Sequence, residues 1–106
     1  MGNDLYAIVT TTASTIEEAD KIARILIEKK LAACVQVLPI KSFYTWEDKL
    51  NIENENLLLV KCKRADFTEI EKCIKENHSY EVPEIVMVPI ENGSKEYLDW
   101  IKAVTK

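Results

Sequence analysis

The residues best equipped for chemistry lie together in His78-Ser79-Tyr80-Glu81-Val82-Pro83-Glu84-Ile85, which holds the chain's one histidine, a tyrosine and two carboxylates. Imidazole is a good ligand for first-row metals such as copper(II), and carboxylates can add weaker bonds. His78 is therefore the candidate metal anchor, with Glu81, Glu84 and the distant Thr11 as weaker ligands. A bland reading stands beside it. A lone histidine is more often a satisfied structural residue. Pro83 then only shapes the entry to a strand, Tyr80 and Val82 are core, and Glu81 and Glu84 are solvated. A second constellation is Cys34, Lys61, Tyr80 and Glu81, in which an ammonium and a phenol could hold an anionic ligand in a cleft between subunits. No activated nucleophile with a paired base is visible, so no enzyme is expected.

Composition narrows the field. The 106 residues suffice for one domain, 1–106. With Lys+Arg 14 against Asp+Glu 18, the formal charge is −4. That disfavours nucleic acid, whose phosphates demand clustered cations. Gly2 and Gly93 are the only glycines, too few for a phosphate-cradling loop. Cysteines at 34, 62 and 73 form no CxxC pair. An odd cysteine count and no recognisable secretory signal around Asp4–Val9 point to a reducing, cytoplasmic setting. No apolar run approaches the roughly 18 residues needed to span a membrane.

The elements that must position these residues are legible as periodicities. Leu5 to Thr11 suits a buried strand, and the Thr10-Thr11-Thr12 run reads mainly as turn-capping hydroxyls. Ser14 with Glu17, or Thr15 with Glu18, makes a capping box for a helix over 15–30, whose Ile16, Ala19, Ile22, Ala23 and Leu26 share one face. A strand over 31–38 is interrupted at Pro39, which predicts a bend or bulge near a sheet edge, and resumes over 40–46. Residues 47–51 form a hairpin loop and 53–63 a third strand. Asp66 with Glu69 caps a second helix to Asn77. Pro83 stiffens the connector that follows, ahead of a strand over 85–88, and Ser94 starts a last helix. This strand, helix, strand, strand, helix, strand order, with its C-terminal helix, is the α+β, ferredoxin-like split βαβ plan. Helices cover one sheet face only, so a partner subunit is expected on the other.

Several segments together resemble the CutA family of divalent-cation tolerance proteins. They are Glu28-Lys29-Lys30-Leu31-Ala32-Ala33-Cys34-Val35, Tyr44-Thr45-Trp46-Glu47-Asp48-Lys49, Val60-Lys61-Cys62-Lys63, the 78–85 stretch, and Pro89-Ile90 with Gly93, Tyr97-Leu98 and Trp100-Ile101. The resemblance covers almost the whole chain. It implies a homotrimer with Tyr44 and Trp46 at subunit contacts, a link to copper tolerance, and no established enzymatic activity. It also implies a likeness to the trimeric PII signalling proteins, hence the alternative of a small-ligand module or a plain structural trimer. Relatives proposed to bind copper carry a cysteine after the first strand and two adjacent histidines. Here those positions look like Thr11 and Asn77-His78, so at most a weakly bound copper(II) or other divalent cation is expected, and none is needed for folding. Ser79 stands where the family has proline and Asp48 where it has a hairpin glycine.

Overall fold

The computed structural model describes residues 5–106, so part of the stretch read for a secretory signal lies outside the described residues. The elements are β1 (Tyr6–Ala13), α1 (Ile16–Glu28), β2 (Cys34–Trp46), β3 (Lys49–Lys63), α2 (Phe67–Glu76), β4 (Val86–Pro89) and α3 (Lys95–Val104), with a 3-10 turn at Arg64–Asp66. One sheet has the order β2-β3-β1-β4, and every neighbouring pair is antiparallel. β1 and β2 thus run parallel with β3 between them, which is the split βαβ plan.

The alternation of strand side chains decides what each face does. Ala7, Val9, Thr11 and Ala13 of β1 and Leu58, Val60 and Cys62 of β3 point under the helices. There they meet Ala19, Ile22 and Leu26 of α1 and Ile70, Cys73 and Ile74 of α2. α3 closes one end of the other face, packing Leu98 and Ile101 on Tyr6. Thr15 caps α1 by accepting the Glu18 N–H at 3.1 Å, and Ser94 caps α3 by accepting the Tyr97 N–H.

Four expectations are corrected. The threonine run is not a turn: β1 continues to Ala13, because β-branched residues suit a pleated strand. Pro39 makes no bulge. β2 keeps one register against β3 from Cys34↔Lys61 to Trp46↔Lys49, and lies at the sheet edge, where a missing N–H costs no ladder bond. The hairpin loop is only Glu47-Asp48, both left-handed at φ 53° and 60° as a two-residue turn of this kind demands, a backbone that the short Asp48 side chain tolerates. Asp66 makes no side-chain capping bond to α2.

β1 stops pairing with β3 at Ala13↔Asn56, so the outer part of the β2–β3 hairpin projects as a two-stranded ribbon. Its Phe43, Trp46, Leu50 and Ile52 are exposed, as are Val86 and Val88 on the uncovered face of β4.

Candidate functional site

His78 sits at the mouth of the helix layer, and its side chain is fully buried. Its Nε2 is hydrogen-bonded to the Thr12 carbonyl oxygen, and its Nδ1 accepts the Tyr80 N–H at 3.0 Å. A carbonyl only accepts, so the ring is the Nε2–H tautomer and Nδ1 carries the lone pair. Both nitrogens are therefore spent within the subunit. Glu18, from the first turn of α1, accepts the Ser79 N–H at 2.9 Å, and its other oxygen lies 4.0 Å from Nδ1. Histidine and Glu18 together staple the start of the 78–85 connector to β1 and α1. The metal-anchor expectation for His78 does not match this geometry, because neither nitrogen is free and the ring has no open side.

Thr11 departs from expectation in the same way. It is fully buried on the helix side of β1, so it cannot reach a ligand on the surface. Its neighbour Thr10 faces the other way and donates to Glu84 at 2.8 Å. Among the described residues, no three His, Cys, Asp or Glu side chains converge as a metal-binding group.

The connector instead walls a cleft of about 650 Å³. Tyr80, Glu81, Val82 and Glu84 form one side, Ser42, Phe43, Tyr44 and Trp46 of β2 another, and Thr12 and Glu55 the floor. The lining holds three carboxylates and no lysine, arginine or histidine. Glu55 is the unusual member: it is only 8% exposed, and it accepts the Tyr80 hydroxyl at 2.7 Å. Burial and this bond to a carboxylate push the Tyr80 phenol well above its ordinary pKa. Tyr44 is raised too, by partial burial and by Glu53. Both phenols stay neutral donors at pH 7, while the carboxylates make the cleft electronegative.

The second constellation is split. Cys34 and Lys61 are directly paired across β2 and β3, where the Lys61 ammonium donates to Gln36 at 2.8 Å and lies 5.8 Å over the Tyr97 ring. Tyr80 and Glu81 stand beside Glu55, six residues along β3 from Lys61, roughly 20 Å at strand rise. One subunit does not bring the four together. Sequence reasoning missed Glu55. By alternation Glu55 belongs to the face of β3 away from the helices, with Leu57 and Leu59, where a glutamate reads as solvated; only the bond from Tyr80 distinguishes it.

Comparison with known proteins fits this architecture. The model of the CutA1 divalent ion tolerance protein family matches residues 7–104. This chain belongs to that family. The divalent-cation tolerance protein CutA of Archaeoglobus fulgidus is 46% identical over 97 residues, covering 92% of this chain and 95% of that protein. The one from Thermus thermophilus is 41% identical, covering 92% and 96%. A solved structure of the Archaeoglobus protein, described as periplasmic, superposes with a TM-score of 0.93 at 44% identity, covering 95% of this chain and 99% of that one. The α+β fold of a four-stranded antiparallel sheet with three helices is thus shared by this CutA1-family chain and its solved relatives.

Proposed function

We propose that this CutA1-family chain acts in divalent-cation tolerance as a homotrimer, and that its cation is taken up weakly in the acidic cleft rather than held by His78. The observation that carries this is the electronegative lining: Glu55, Glu81 and Glu84 share the cleft with no basic side chain, without converging into a ready-made ligand group, beside a histidine whose nitrogens are both occupied. Oxygen donors of this kind suit copper(II) less well than imidazole does, and hold a divalent cation loosely unless water or a neighbouring copy completes the shell. The trimer is favoured by the projecting ribbon. A two-stranded ribbon is marginal alone, and here its apolar side chains, Tyr44 and Trp46 included, need cover. A PII-like ligand pocket using Cys34 and Lys61 would need a second subunit to bring them near the connector.

The three cysteines form no disulfide, which favours a reducing compartment such as the cytoplasm. No helix among the described residues is long and apolar enough to cross a membrane. The acidic cleft and net charge argue against a nucleic-acid partner, and no chemistry in the site calls for an enzyme.

The test is calorimetric titration of copper(II) and manganese(II) into wild type, His78→Ala and Glu55→Gln. The expected result is weak binding that Glu55→Gln loses and His78→Ala keeps. Loss in His78→Ala with retention in Glu55→Gln would overturn the proposal.

A further inference from the structure

The described asparagines are not held alike. The Asn51 carboxamide donates to the Trp46 and Lys49 carbonyls, and that of Asn77 donates to the Cys73 carbonyl at 2.8 Å. Asn54 and Asn56 lie within β3, opposite Lys41 and Pro39 of β2. The residues that follow these four positions are Ile52, His78, Glu55 and Leu57, each with a Cβ beside its own nitrogen. Asn92 differs on every count. It lies in the link between β4 and α3, it is exposed, and Gly93 follows it. Among the described residues, no hydrogen bond holds the Asn92 carboxamide or the Gly93 N–H.

That combination is reactive. A backbone nitrogen can attack the side-chain carbonyl carbon of an asparagine before it and close a succinimide ring. A Cβ on the following residue crowds this approach and narrows the backbone conformations that permit it, and glycine does neither. A hydrogen bond on either group would first have to break, and here there is none to break. Packing fixes the glycine: a Cβ built on Gly93 would lie 3.2 Å from Cγ and Cδ2 of Leu98, which helps seat α3 on Tyr6. The residue that makes Asn92 reactive is thus required by α3.

We propose that Asn92 is a self-modification site, deamidating to aspartate and isoaspartate, and that the isoaspartyl form unseats the start of α3. The Gly93 nitrogen bonds to Asn92 Cγ, the Cγ–Nδ2 bond breaks, and Nδ2 leaves as ammonia with the proton from Gly93. Water then opens the succinimide at either carbonyl. Opening at Cγ gives aspartate on an unchanged main chain. Opening at the main-chain carbonyl gives isoaspartate, whose chain runs through Cβ and Cγ and is longer by one methylene. No oxidant or reductant takes part. Both products place a new carboxylate ahead of the α3 cap Ser94, in a chain already net negative. The charge alone suits a helix N-terminus. The added methylene does not suit the link, because the Ile90 N–H is tied to the Tyr6 carbonyl at 3.1 Å, Ser94 caps α3, and Gly93 lies against Leu98 between them.

The test ages the purified whole chain in warm, mildly alkaline buffer and follows it by ion-exchange chromatography and by peptide fragmentation in a mass spectrometer. Residue 92 is expected to gain acid roughly tenfold or more faster than Asn51, Asn54, Asn56 or Asn77, and to yield both products. Asn92→Ser should age without the new acidic species. Asn92→Asp, which carries the charge on a normal main chain, should melt with the fresh protein, while the isoaspartyl fraction melts below both. Acid at Asn77 as fast as at Asn92, or none at Asn92 while the urea-unfolded chain converts there, overturns the site. An isoaspartyl fraction that melts with Asn92→Asp overturns the effect on α3.

Discussion

Replacing His78 by alanine separates a structural histidine from a metal ligand. The substitution removes the bond to the Thr12 carbonyl and the bond from the Tyr80 N–H, and it empties a fully buried site. Each orphaned backbone group costs about 1–3 kcal/mol. Water entering the vacated space would satisfy part of that demand, which places the loss near the lower end, about 3 kcal/mol. For a chain of this size that lowers the melting temperature by about 12–20 °C. The assay is guanidinium and thermal unfolding followed by circular dichroism, at one fixed chain concentration because the proposed assembly would make the midpoint concentration-dependent. Copper(II) titration of the same preparation completes it. The expected outcome is a large loss of stability with the copper heat unchanged. A loss below about 1 kcal/mol together with vanished copper binding would refute the staple role derived from the two hydrogen bonds.

Tyr80→Phe removes the donor to Glu55 and should cost about 1–3 kcal/mol in urea unfolding, with recovery of part of that loss in the double variant carrying Glu55→Gln; an unchanged midpoint would contradict the geometry. Burial, with a smaller push from Asp66, drives the Cys62 thiol up to about 12 from an ordinary value near 9. A raised folded value means its contribution to stability is full below pH 9 and is lost as pH climbs to 12, so Cys62→Ala should flatten the alkaline stability profile over that window. An identical profile in wild type and variant would exclude Cys62 as a cause. If the proposed trimer uses the uncovered sheet face, Val88→Glu should shift the mass measured by light scattering from three chains to one; a wild-type mass of three chains that the variant leaves unchanged would mean that this face is not in the interface.

Much of the fold was legible because its cues are periodic. The Ile16, Ala19, Ile22, Leu26 stripe and the Leu58, Val60, Cys62 alternation translate directly into one buried face each. What failed depended on position in the sheet. Pro39 does mark a sheet edge as expected, but on an edge strand it need not break the register, and the order β2-β3-β1-β4 with unbroken pairing shows that it does not. Three threonines look like a turn until β3 pairs with all of them, and β4 with Thr10 on the other side. The site was legible at the level of the segment. The 78–85 stretch does wall the cleft, and Glu81 and Glu84 line it. The bland reading of His78 as a satisfied structural residue fits its two bonds, but its partners were not legible, because they are set by which backbone groups its two nitrogens meet, here Thr12 from 66 positions away. Glu55 was invisible for the same reason: its importance comes from Tyr80, 25 residues on.

Anomalous scattering from crystals of the protein soaked in copper(II) would test most directly whether the cleft, and not His78, receives the cation. The account predicts a peak beside the carboxylates of Glu55 and Glu81, with the His78 ring still bonded to Thr12 and Tyr80. A peak within bonding distance of a His78 nitrogen, with the ring turned out of its pocket, would contradict it.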